Sequence, residues 1–175
     1  KLSNLANKTE LVASVDRLIE QKEALNIEIE QYREKIKQNR AFTEERRENV
    51  ESNLSERTIN LITQDGGFED SFNAPSAFQF DFQKDIMLVD GRSKFSASSE
   101  TILKNSFHFA IFLASLYDNL MRYPRLLLLD NIEDKGMRPE RSQNFQRLIV
   151  AALDDVNIEH QVIMSTSMIA EDLEA

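Results

Sequence analysis

Arg125-Leu126-Leu127-Leu128-Leu129-Asp130 is the stretch on which the reading of this sequence turns. A short run that is apolar at every position, not at every second one, predicts a strand buried on both faces at the centre of a parallel sheet. Pro124 ends what comes before it, and a carboxylate closes it. In open parallel sheets ligands sit at the carboxyl ends of strands, so Asp130 is expected to face a site. There it would hold Mg²⁺ directly or through water, with nucleotide phosphates completing the shell, which is the Walker B pattern. The same residue also fits a purely structural role, because any buried strand can end on an Asp that caps the next turn.

Upstream of this run, Ser98 to about Met121 has a helical pattern, with Ile102, Phe109, Phe112, Leu113, Leu116 and Leu120 covering more than one face. That predicts a mostly buried helix. Its start, Phe95-Ser96-Ala97-Ser98-Ser99-Glu100, sets four small residues before the first turn. Free N–H groups and the positive end of the helix dipole make such a start an anion site, although Ser98 or Ser99 as an ordinary N-cap accounts for one serine. Further upstream, Phe78, Phe80 and Phe82 alternate with Gln79, Asp81 and Gln83, a period of two that predicts a half-buried strand. Gln83-Lys84-Asp85 turns the chain, Ile86-Met87-Leu88-Val89 makes the partner strand, and Asp90-Gly91 closes it. Phenylalanines at this spacing read as a core face in preference to a base-stacking platform. Downstream, a helix is predicted from about Glu140 to Asp155, a buried strand from His160 to Thr166, and the start of a last helix from Met168 to Leu173. The order predicts an α/β layer.

Residues from about Leu2 to Ile62 contain no Gly and no Pro, a long-helix composition. In a heptad frame Leu11, Leu18, Leu25 and Tyr32 fall at d positions and Val15, Ile29 and Ile36 at a positions. The seam is strong from Leu11 to Ile36 and polar afterwards. Such a helix would be about 90 Å long, so it is expected to project and pair with another helix as a coiled coil. It stops at Gln64-Asp65-Gly66-Gly67. The expected division is therefore a coiled-coil helix over residues 1–64 and an α/β lobe over 65–175. The chain opens at Lys1 inside a helical pattern, which reads as a fragment.

The 175 residues carry 21 Lys+Arg against 30 Asp+Glu, a net charge of −9, which argues against a protein wrapped in nucleic acid by bulk charge. The helix holds 11 basic and 13 acidic residues up to Asp65, a mixed, solvated surface. With no Cys, disulfides and thiolate metal or redox sites are excluded, and two His, His108 and His160, leave little for zinc. His108 reads as a satisfied core residue and His160 as structural. No apolar run approaches a membrane span, so a soluble, cytoplasmic protein is expected.

Coiled coil, β-hairpin, Phe95–Ser99, a long helix, Leu126–Asp130 and a terminal strand, in this order, resemble the C-terminal half of an SMC-family ATPase head. That family belongs to the ABC-type ATPases, and its relatives include repair proteins and SMC-like ATPases of bacterial anti-phage systems such as Lamassu. The resemblance spans nearly the whole chain. It implies an ABC-type head lobe on a long antiparallel coiled-coil helix, with ATP and Mg²⁺ as cofactors. Ser96, Ala97, Ser98 and Ser99 would match the Leu-Ser-Gly-Gly-Glu signature, Asp130 would be the Walker B metal ligand, Asn131–Met137 the D-loop region, and Ser167 the switch position. It further implies the Walker A half of the same head, a second head sandwiching ATP, DNA, and accessory or effector subunits as partners.

Several positions depart from the family pattern. Ala97 and Ser98 replace the signature glycines, and Ser167 stands where the switch is usually His. The catalytic Glu position is Asn131, which can orient a water but cannot take its proton. Glu133 is either its substitute or a solvated loop carboxylate. No Gly-x-x-x-x-Gly-Lys-Ser/Thr occurs, so this stretch supplies no phosphate cradle. The sequence thus allows three readings: an ATPase completed by its other half, an ATP-binding switch with little hydrolysis, or a non-catalytic coiled-coil adaptor.

Overall fold

The computed structural model describes residues 2–174, with side chains from residue 11 onward. Helix α1 (Leu2–Ile62) leads to a 3₁₀ turn (Asp70–Phe72), β1 (Phe78–Asp81), β2 (Ile86–Val89), α2 (Ala97–Tyr117), β3 (Leu126–Leu129), α3 (Pro139–Leu153), β4 (Gln161–Met164) and a second 3₁₀ turn (Glu171–Leu173). Two compact units result, Lys1–Glu48 and Asn49–Ala175. The boundary lies within α1 because only its last turns meet a core: Leu54, Thr58, Leu61 and Ile62 are buried. In the first unit Leu11, Val15, Leu18, Leu25, Ile29, Tyr32 and Ile36 are all exposed, the apolar positions of the heptad frame. No described helix is long and apolar enough to cross a membrane.

The second unit is built around α2. Its neighbours are mostly apolar on several sides, and Ile102, Leu103, Phe109, Ala110, Phe112 and Leu116 are all buried. The hairpin β1–β2 is antiparallel, with Phe78 opposite Val89 and Asp81 opposite Ile86. Its inward phenylalanines pack on α2: Phe78 and Phe80 lie 5.2 and 4.7 Å from the Phe107 ring. The Asp90 carboxylate closes the hairpin by accepting the backbone N–H groups of Ser76 and Ala77. Strands β3 and β4 are parallel, Leu126 opposite Gln161 and Leu129 opposite Met164, joined through α3.

Several sequence expectations need correction. The strand expected to be buried from His160 to Thr166 spans only Gln161–Met164, with Gln161 and Ile163 exposed and Val162 and Met164 half-buried. Strand β3 is not buried on both faces. Leu127 and Leu129 are in the core, but Leu126 and Leu128 are 39% and 64% exposed, because among the described residues β4 is the only strand beside it. Helix α2 ends at Tyr117, with the Asp118 N–H bonded to Ala114 O, so Leu120 lies beyond it and is exposed. The expected last helix is a single 3₁₀ turn. His108 is exposed on α2, because its neighbours Phe107 and Phe109 take the inward directions. His160, by contrast, is held structurally: its Nδ1 contacts Ile158 O at 2.6 Å and its ring stands edge-on to Phe112.

Candidate functional site

At the carboxyl ends of β3 and β4 the chain gathers Asp130, Asn131, Glu133, Ser165 and Ser167. The Ser165 N–H continues the strand pairing to Leu129 O, while the Ser165 hydroxyl donates to Asp130 Oδ1 and accepts the Asn131 N–H at 2.8 Å. One side chain thus ties the two strand ends through Oδ1 and leaves Oδ2 of the exposed Asp130 out of that bond. Asn131 has a left-handed backbone, φ +51°, a conformation that Asn tolerates better than most residues. It turns the chain so that Ile132 and Met137 re-enter the core.

Glu133 goes inward with them and is only 8% exposed, which corrects the picture of a solvated loop carboxylate. Its Oε1 accepts the Ser167 N–H, while Oε2 is buried with no hydrogen-bond partner. Burial acts to raise its pKa, but the Ser167 N–H and the Ser167 and Thr166 hydroxyls outweigh it and hold the carboxyl below its ordinary value. An ionised carboxylate with one unsatisfied, buried oxygen is costly unless a donor or cation meets it. No group of three or more His, Cys, Asp or Glu able to hold a metal occurs among the described residues. What the strand ends offer a cation is the exposed Asp130 carboxylate, a donor of the kind that holds Mg²⁺ when phosphates and water fill the rest of its shell.

The start of α2 is a separate constellation. Ser96, not Ser98 or Ser99, is the N-cap: its Oγ accepts the Ser99 N–H at 3.2 Å. It caps because its own backbone is extended, φ −61° and ψ 155°, while Ala97, Ser98 and Ser99 are already helical. Ser96 and Ala97 are exposed, Ser98 is half-buried, and Ser99 is fully buried. Ser98 and Ser99 are held by Arg141, from the first turn of α3. Its Nη1 donates to Ser98 Oγ and its Nη2 to Ser99 Oγ, each at 3.1 Å. Nε and Nη2 bond both oxygens of Asp65, in the loop that follows α1. Arg141 is 3% exposed and lies over the Phe68 ring. Burial pushes the Asp65 carboxyl up, and the hydrogen bonds and charge of Arg141 offset part of that.

Of the residues expected to carry the site, the structure brings Asp130, Asn131, Glu133 and Ser167 to the ends of β3 and β4 and sets Ser96–Ser99 apart from them at the start of α2. Ser165 is expected only as a neighbour of the switch position Ser167, and the sequence points to no role for the Arg141–Asp65 pair. Arg141 and Asp65 are 76 positions apart, and no spacing rule reaches that far. The one available signal was an acid within a helix-breaking Gly-Gly turn. No protein-family model matches the chain, and no curated protein matches its sequence.

Proposed function

We propose that this chain is the C-terminal lobe of a cytoplasmic, SMC-like ABC-type ATPase head, which works when the Walker A half of the head completes it. The observation that carries this reading is the Asp130–Ser165 tie at the ends of two parallel strands, with Glu133 and Ser167 joined beside it. The one-sided exposure of β3 supports it as well, since parallel strands are ordinarily covered on both faces. ATP and Mg²⁺, when bound, supply the phosphoryl group and the charge that stabilises its transfer. Asp130 would hold the metal or its water through the oxygen that Ser165 leaves free. Asn131 would orient the attacking water, and Glu133, whose Oε2 is buried without a partner, would have to turn that oxygen toward the strand ends to accept its proton. The loop Ser96–Ser98 caps the nucleotide of a second head, so that binding engages the heads and turnover releases them on DNA, in repair or anti-phage defence with accessory subunits. The helix of the first unit would pair with another helix through its exposed heptad face.

Asp130→Ala in the complete protein is expected to abolish Mg²⁺-dependent ATP turnover while leaving the circular dichroism spectrum intact. Turnover at the wild-type rate would refute the Walker B assignment. A second reading, an ATP-binding switch with little hydrolysis, is favoured by Asn131 at the base position. It predicts that Asn131→Glu raises turnover at least tenfold, whereas an enzyme that uses Glu133 gains nothing from that change and stops on Glu133→Gln.

A further inference from the structure

Helix α2 needs only Ser96 to start it, yet a buried guanidinium also engages the next two hydroxyls. All three Arg141 nitrogens are used: Nε and Nη2 on Asp65, Nη1 on Ser98, and Nη2 again on Ser99. Ser96 Oγ in turn lies 2.8 Å from Ser99 Oγ, so the chain of contacts runs unbroken from Asp65 to the exposed cap residue. Arginine can only donate. Ser98 and Ser99 therefore accept from it. Ser96 spends its one proton on Ser99, so in the 3.5 Å contact between Ser98 Oγ and Ser96 Oγ the proton comes from Ser98. A planar fork is required for this, because a lysine ammonium cannot span a carboxylate and two hydroxyls in one plane.

The placement is also electrostatically unusual. A cation beside a helix N-terminus opposes the helix dipole, and burying it requires a paired carboxylate. Asp65 provides that pairing. A capping device alone has no use for either group.

We propose that Arg141 is the positioning residue of the Ser96–Ser98 loop, locking its backbone and the Ser98 hydroxyl in the arrangement that meets a nucleotide, with Asp65 as its anchor. The nucleotide part rests on the head-lobe reading above; the locking of the loop does not.

Arg141→Lys keeps a cation against Asp65 and removes the fork. In the chain itself, amide hydrogen exchange of Ser99–Thr101, whose N–H groups are bonded from Ser99 onward, is expected to rise at least tenfold in this variant, while Phe109–Leu113 in the middle of α2 stay protected. Unchanged exchange at Ser99–Thr101, or an equal rise along the whole of α2, overturns the proposal, the latter by showing a general staple. If Arg141→Lys fails to fold, the same comparison is made with Ser98→Ala, which leaves the ion pair whole; a local rise upholds the proposal and none overturns it. In the complete protein, ultracentrifugation with ATP is expected to show at least a tenfold weaker dimer for Arg141→Lys with ATP binding to single heads retained. The double variant Arg141→Lys/Ser98→Ala should weaken it no further than the stronger single change, because both act through one contact. Additive losses overturn the proposal. Ser96→Arg separates the two layers: if it leaves ATP-dependent dimerisation at the wild-type level, the head-lobe reading of the loop fails, whatever the exchange data give for Arg141.

Discussion

Glu133 keeps a negative charge where the surroundings are mostly closed to water, and the Ser167 N–H with the neighbouring hydroxyls makes that possible. Because its folded pKa lies below the ordinary 4.5, the ionised group favours the fold above that pH. The contribution is lost as pH falls through the folded value. Glu133→Gln can still accept the Ser167 N–H but exchanges a charge-assisted bond for a neutral one. The expected loss is about 1 kcal/mol at pH 7 by urea unfolding, and the gap to wild type should narrow once the pH drops below about 4.5. A gap that is constant down to acid would show that the carboxylate is not ionised in the folded chain. Ser96 permits a simpler test. Its cap is worth about 1 kcal/mol, so Ser96→Ala should lower stability by that much, whereas Ser96→Gly should cost only a few tenths.

Among the elements, the hairpin is legible because its signals are local, Phe78 and Phe80 two apart and an Asp90-Gly91 turn; Phe82, expected as a third position of the core face, lies past the strand and is exposed. Helix α2 was legible for the same reason, up to its end, where Leu120 and Met121 continued the pattern that the backbone does not. The buried face of α3 was only half legible. Phe145 and Ile149 were visible as apolar positions, but Arg141, Ser142 and Gln146 share that face, and a hydrophobicity count assigns them to solvent. They are inside because each has a partner at long range. The Gln146 amide donates to Met168 O and accepts the Ala170 N–H at 3.0 Å, which is what holds the segment expected to be a helix in an irregular path. Gln146→Ala leaves the buried Ala170 N–H and the part-buried Met168 carbonyl unpaired and should cost about 1–3 kcal/mol in urea unfolding. The nearby Arg147–Asp172 pair is solvent-exposed. Arg147→Ala should therefore change stability much less, and an equal loss from both would place the tether at the ion pair.

For the molecule as a whole, the telling feature is that β3 is apolar on two faces and buried on one. Leu127 and Leu129 pack in the core with α2 beneath them, while Leu128 and, on the neighbouring strand, Ile163 remain exposed. A sequence carries no mark of whether the surface that covers such a run comes from the same stretch of chain, which is why the run was read as doubly buried. The inner face has to behave as core: Leu127→Ala should cost about 2–5 kcal/mol in this chain. Leu128→Thr keeps strand propensity and removes only apolar surface that already meets water, so here it should stay within about 0.5 kcal/mol. In a completed head the outer face is covered, and the same Leu128→Thr change should then cost about 1.5–3 kcal/mol, the value of burying a leucine. Urea unfolding of Leu128→Thr in both contexts decides between them. A large loss confined to the complete protein means that β3 is the central strand of a sheet shared with residues outside this stretch. An equally small change in both means that the face stays wet, and the proposal that this chain is one half of an ATPase head loses its structural support.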